Sequence, residues 1–417
     1  MRVKTYRQLF AVPEFRVLFL VQCLNIGAYA VASLALGTIT FAATGSPVLT
    51  ALAMFGAPLM RIVGQAVFGS GSDLVRPRTA LLLVFTTTLV TDLLQAIPGL
   101  AWGWRFALLA VGPLITSALG GSMMALVSDI LPPGGFILGR ATMNIAVGGM
   151  QIVGFGIGGL LLISFTTTQL FLGSAAALLV AVLLLRLGLS DHPPRHAGAS
   201  VVKRTREVNR SLLGSPVVRP IFLTLWVPNG LVVGCEALFV PFAGERAGYL
   251  FAVTAAGMLL GDVVVGRFLS VPLRDKLIGP LRLLLAVPYL AFFLVPSLPY
   301  AAALTFVASV GYSASLPLQE RLVTHTEAAA RGQVFGLQGT GLMVGQALGA
   351  LLGGAVASAL GVGAESAARA MGVMAVASVV VSLALTPGLR RSRPEPIAPA
   401  WPLTPTPTRT TVGEEKR

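Results

Sequence analysis

The stretch Gly69–Arg78 reads GSGSDLVRPR and stands between two long apolar runs. Small residues, one acid and two arginines in such a place admit three readings. They form a phosphate cradle, a plain turn, or part of a moving gate. What surrounds the stretch decides among these.

Of the 417 residues, 55% are hydrophobic and only 11% are charged, with a mean hydropathy of +0.83. A soluble chain usually carries about 25% charge. A bilayer core about 30 Å thick takes roughly 20 apolar residues of helix to cross. Runs of that kind fill nearly the whole sequence, so the chain reads as a polytopic membrane protein. The runs are helices because a lone strand in lipid leaves its backbone unpaired. A β-barrel would need alternating segments of about ten residues, and none occurs. The first apolar run, residues 15–43, is too long for the core of a signal peptide, so an uncleaved span is expected there.

Twelve spans are expected, near 15–43, 47–70, 77–98, 104–129, 141–163, 168–188, 217–242, 248–270, 277–296, 299–322, 333–360 and 366–388. The chain thus divides into an N-terminal arm (1–14), a six-helix bundle (15–188), a central loop (189–216), a second six-helix bundle (217–388) and a tail (389–417). The tail is rich in Pro and Thr, cannot bury enough apolar surface to fold, and is expected to be disordered.

The net charge of +14 does not point to nucleic acid, because the charges follow topology. With the N-terminus inside, twenty-six of the thirty basic residues fall on the inner side. Arg105, Arg246 and Arg369 fall outside and Arg61 lies within a span. That asymmetry obeys the positive-inside rule and places both termini in the cytoplasm, with the cell membrane as the expected location and lipid headgroups as the anionic partner. The four arginines and lysines from Arg267 to Arg282 are counted here with the loop between spans eight and nine. Cys23 and Cys235 sit in separate apolar runs without a CxxC partner, so neither a disulfide framework nor a zinc site is indicated. No metal and no cofactor is expected.

The halves repeat one another. GQAVFG at Gly64–Gly69 corresponds to GDVVVG at Gly261–Gly266, 197 residues later, each in the second span of its half. The connections before spans five and eleven both lead into glycine-rich helices, GGMQIVGFGIGGLLL and GLMVGQALGALLGGAV. Parallel six-span repeats imply two similar bundles about a pseudo-twofold axis along the membrane normal, able to rock about a central site.

With those features in place, the opening stretch resembles the signature G-x-x-x-D-R-x-G-R-[RK] of the major facilitator superfamily. The match holds at Gly69, Asp73 and Arg78 and departs at Leu74, Arg76 and Pro77. The fifth span resembles that superfamily's exporter signature ending G-P-x-x-G-G. Here Gly149 precedes Gly154, Gly158 and Gly159, and Phe155 replaces the proline. The resemblance spans residues 10–388 and implies an all-α, twelve-span secondary transporter. It further implies that Asp73 meets the N-terminal end of the eleventh helix in one state, and that Arg76 or Arg78 pairs with Asp129. These residues would then form a gating latch.

A phosphate cradle would need a lysine and a preceding strand, and both are missing. A plain turn accounts for every residue of the stretch but Asp73. An acid just past a helix C-terminus is opposed by the helix dipole and needs a partner.

Four further ionisable residues lie inside spans: Arg61, Asp92, Glu236 and Asp262. Each is expensive in lipid and should face protein or water. Glu236 is also close enough to the end of span seven to snorkel outward. Arg61 has the reach to interact with Asp92, in a structural or a proton-sensitive role. Asp262 occupies the repeat position of Gln65 and could bond Arg267. Gln22, Asn25 and Asn229 are polar residues on helices expected to line a cavity; bonding between helices explains them equally well. The fifth-span glycines allow close helix packing, which by itself explains them; the resemblance adds an export-specific role.

No HExxH and no Ser/His/acid set is present, and His192, His196 and His325 all fall in loops, so an enzyme is not expected. No P-loop appears, which disfavours an ATP-driven pump. The function expected is alternating-access transport of a small organic solute. Proton-coupled efflux of drug-like or amphipathic compounds by a monomer is favoured. An importer or facilitator of a small metabolite, or a transporter-shaped sensor without flux, is the alternative.

Overall fold

A computed structural model describes residues 5–68, 75–117, 119, 122–131, 136–192, 209–326 and 331–392. Gly69 and Asp73 of the opening stretch lie outside the described residues, as do parts of the arm, the central loop and the tail.

Among the described residues, ten stretches are long and apolar enough to cross a membrane. One of them, Val218–Phe268, contains two helices, Val218–Glu236 and Ala247–Val263. The fourth span is made of Trp102–Ser117 and Ser122–Ile130. The twelve expected spans are therefore accounted for. In the first half the others are Pro13–Thr44, Pro47–Phe68, Pro77–Gln95, Phe136–Ser164 and Thr167–Gly188. In the second they are Val271–Ala286, Leu298–Val310 continued by Ser315–Thr324, Arg331–Leu360 and Ala364–Arg391.

Local chemistry sets the helix ends. Gly45 closes the first helix in the left-handed region (φ 61°), its N–H bonded to the Phe41 carbonyl at 2.8 Å. Two residues later Pro47 opens the second helix, where a missing N–H costs nothing. Thr166 and Gln169 form a reciprocal capping box at the start of span six.

The glycine faces of spans five and eleven build the architecture twice. Gly154 and Gly158 press against span one, at Gly27, Ala30, Val31 and Leu34. Gly349 and Gly353 press against span seven, at Gly230 and Gly234. Gly159 then meets Gly248 of span eight, and Gly354 meets Pro47 and Val48 of span two. Each fifth helix of a half thus joins its own first helix and the opposite half's second helix. Such close backbone approach needs residues without a Cβ. Gly149 is different: it is exposed, and a Cβ there would meet nothing within 4 Å.

Where the halves touch follows from their cores. One apolar core is shared, combining Leu34, Met54 and Phe55 with Phe251, Ala347 and Met371. It lies toward the end carrying the Gly45 turn. At the opposite end, which carries the basic loops, each half keeps its own core. Phe15, Phe85 and Leu185 belong to one, and Phe222, Leu318 and Leu389 to the other. The molecule is sealed at one end, with the basic ends packed separately.

One charge assignment from the sequence is corrected. Span nine begins at Val271, six residues before the expected start, and Arg282, counted with the loop although it fell inside the expected span, lies three turns into the helix. It is 4% exposed and donates from Nη2 to the carbonyl of Ser382 on span twelve.

Candidate functional site

Between the halves, on the inner side of the seal, lies a cavity. Spans two and five wall it from the first half, and spans seven, eight, ten and eleven from the second. Three aromatic rings cross the junction in a row. Phe55 stacks on Phe155 at 6.3 Å between centroids, and Phe155 on Phe251 at 6.2 Å. Phe155 is the residue that replaces the proline of the exporter signature. It spends that position on a ring contact that links the halves.

The polar groups of the cavity are few. Gln151 on span five donates to Gln346 Oε1 on span eleven at 3.3 Å, and Gln346 donates to Asn229 Oδ1 on span seven at 3.2 Å. Glu236 is the last residue of its helix and lines the same cavity. It makes no hydrogen bond or ion pair among the described residues. The sequence left open whether this acid snorkels outward; the fold turns it toward the space between the halves. An acid held in an aromatic-walled cavity, with no protein cation opposite, can take a proton or a cationic ligand.

A second polar chamber sits inside the first bundle. Arg61 and Asp92 both line it, but among the described residues no ion pair joins them. Asp92, 7% exposed, instead accepts from the Ser174 hydroxyl of span six. Ser174 Oγ also lies 3.1 Å from the Ala28 carbonyl. A hydroxyl has one proton to donate. With Asp92 ionised the hydroxyl serves the carboxylate; with Asp92 protonated the acid donates to Ser174, whose proton turns to Ala28. The pair can therefore register a proton by reorienting one hydroxyl.

Asp262 ends the regular helix of span eight, just before a π-helical segment, Val264–Phe268. Among the described residues no contact joins it to Arg267, which is exposed. Oδ1 of Asp262 is buried without a hydrogen-bond partner. Gln22 and Asn25 are half-buried on span one and line none of the cavities described here.

At the basic end, Arg76 pairs with Asp191 and Arg78 donates to the Arg186 carbonyl, both within the first half. Asp129 is exposed on the last turn of Ser122–Ile130. Among the described residues no cluster of His, Cys, Asp or Glu could hold a metal ion.

Comparison with solved structures decides what this arrangement is. A transporter of the POT family, crystallised with a thioalcohol-conjugated peptide, superposes with a TM-score of 0.66 at 14% identity, covering 91% of this chain and 96% of that one. The chain has the major facilitator fold. A family model of the Major Facilitator Superfamily matches residues 242–410, within the second facilitator half and the tail. In sequence the chain resembles bacterial drug exporters. It is 27% identical over 299 residues to "Multidrug resistance protein MdtG" of Dickeya zeae (strain Ech586), covering 67% of this chain and 71% of that protein. It is 27% identical over 246 residues to "Multidrug efflux pump Tap" of Mycolicibacterium fortuitum, covering 56% and 59%. The facilitator architecture and these relatives are those of membrane transporters.

Sequence reasoning found Asn229 and Glu236 and missed Gln151 and Gln346. The signal was present. The separation of 195 residues between the two glutamines is also that of Gly154 from Gly349, Gly158 from Gly353 and Gly159 from Gly354.

Proposed function

We propose that this chain is a secondary active transporter of the cell membrane that exports amphipathic, cationic, drug-like compounds in exchange for protons. The observation carrying the reading is Glu236, a carboxylate without a partner among the described residues, in an aromatic-walled cavity between two halves able to rock. Stacked rings suit an apolar or aromatic substrate body, and the acid suits a positive centre. A proton and a cation compete for the same carboxylate, which is the minimum chemistry of an exchanger. With both termini in the cytoplasm, as the basic loops support, the sealed end faces outward and the cavity belongs to a cytoplasm-facing state.

The basic end would work as the latch. Arg76 and Arg78 hold the start of span three against the end of span six, and Asp73 would meet the opposite half when that end closes. An exposed contact of this kind is worth about 0–1 kcal/mol, weak enough to open each cycle.

The test is flux in proteoliposomes of purified full-length chain, using tetraphenylphosphonium as the hydrophobic cation. An imposed pH gradient should drive its movement against its own gradient, and Glu236→Gln should abolish that drive. Asp73→Asn should slow flux with unchanged expression. Gradient-driven flux that survives Glu236→Gln would end the reading.

A further inference from the structure

Arg282 is a guanidinium that the protein leaves almost unserved. It has five N–H donors, yet it makes one hydrogen bond, from Nη2 to the Ser382 carbonyl. Its Nε is buried without a partner, and among the described residues it forms no ion pair.

The chain's other buried arginines show what a purely structural role looks like. Arg105 is equally buried, and its donors reach Gln95 O and Oε1, Ile97 O and Leu100 O at 2.9 to 3.3 Å. Its guanidinium also lies 5.8 Å from the Trp102 ring. Arg321 forks onto Asp275, with Nε at 2.6 Å, and reaches Leu389 O at 3.0 Å. Arg321 thus holds Asp275 as its own counter-ion, and no pair joins Asp275 to Arg282 among the described residues. A buried cation without a counter-charge is costly, and a site retains one where a function uses it.

Arg282 lines a chamber inside the second bundle. Asn229 and Tyr312 belong both to this chamber and to the central cavity, so the two spaces adjoin. No acidic residue lines it. Asn229 spends its carbonyl on Gln346, which leaves its amide N–H₂ as a donor. The side chains of Ser315, Gln319 and Gln338 also line the chamber and make no hydrogen bond among the described residues. The remaining wall is largely leucine.

We infer that Arg282 and these donors form an anion subsite opening off the central cavity, built for a carboxylate or similar small oxyanion carried on an apolar body. A planar guanidinium matches a carboxylate in a two-pronged contact, and neutral donors complete the shell without competing charge. The inference goes beyond export of cations and stands on binding alone. Only the role of the anion as part of a substrate rests on the transport reading.

The experiment is equilibrium binding to full-length chain in phosphatidylcholine nanodiscs, with radiolabelled benzoate as probe and benzamide as its neutral counterpart of the same shape. Benzoate should bind saturably, with benzamide at least tenfold weaker. Arg282→Gln should lose benzoate at least tenfold, while Arg282→Lys, which keeps the charge, should retain an intermediate affinity. Competition by inorganic phosphate at lower concentration than benzoate assigns the subsite to a free anion; stronger competition by apolar carboxylates assigns it to a substrate group. Either supports the subsite. Equal binding of benzoate and benzamide to the unaltered protein overturns it even if Arg282→Gln fails to fold, and so does undiminished benzoate binding to both variants. No pH-driven flux through the unaltered chain, with benzoate still bound, would count against the transport reading and leave this one standing.

Discussion

Gln151 and Gln346 occupy equivalent positions in the two halves and hydrogen-bond each other across the junction at 3.3 Å. A contact between symmetry-related residues lies close to the pseudo-axis and must break when the halves part. Gln151→Leu removes it and leaves the Gln346–Asn229 bond intact. A typical bond of this kind is worth about 0.5–1.5 kcal/mol, so the sealed state should lose up to roughly tenfold in relative population. Labelling of Val48→Cys from the sealed side should rise correspondingly in the Gln151→Leu background. Unchanged labelling would mean that the bond does not hold the seal.

Gly159 makes a sharper demand on the same seal. A Cβ there would lie 2.6 Å from the Gly248 carbonyl oxygen and 2.9 Å from Phe251 Cβ. Gly159→Val should push the second facilitator half away at a cost of about 1–3 kcal/mol, within the range of overpacking. Flux should fall strongly while each bundle stays folded. Gly149→Ala, in the same motif but facing open space, should transport near the unaltered rate. Equal damage from both substitutions would assign the motif to helix bending and not to contact.

Asp92 and Ser174 separate a structural from a protonic role inside the first bundle. Ser174→Ala strands a buried acid and should cost about 1–3 kcal/mol. Asp92→Asn can keep a hydrogen bond to Ser174 and should leave the melting temperature level or higher. A proton-linked role adds one expectation, that Asp92→Asn flattens the pH dependence of flux. A variant with unaltered pH dependence confines Asp92 to a packing role.

Depth in the membrane was legible in the sequence, and direction around each helix was not. Long apolar runs placed most of the spans to within a few residues. Lipid and protein interior are both apolar, so the usual amphipathic stripe that tells one face from another is absent. Glu236 was therefore identified as an intramembrane acid without its facing being known. Arg282 was missed because, although it fell five residues inside the expected span, it was counted with the basic loop before it. Val271-Pro-Leu-Arg-Asp-Lys is too charged to read as helix, although Pro272 at its start is the helix-opening signal. Gln151 was overlooked because the glycines around it were read for packing alone.

Glu236 supplies the decisive pH experiment. One carboxylate that takes either a proton or a cation releases one when it binds the other. Binding of tetraphenylphosphonium to the unaltered chain should therefore weaken as pH falls, by about tenfold per pH unit once the acid is mostly protonated, or about 1.4 kcal/mol per unit. Glu236→Gln keeps the size and polarity of the side chain and removes the titrating group. Its affinity should match the low-pH value of the unaltered protein and stay flat with pH. A retained slope in Glu236→Gln would move the competition to another acid, and Asp262, with its unpartnered buried oxygen, is the next to replace by Asn. A slope absent from the unaltered chain would mean that cation and proton do not share a site, and exchange through Glu236 would fall with it.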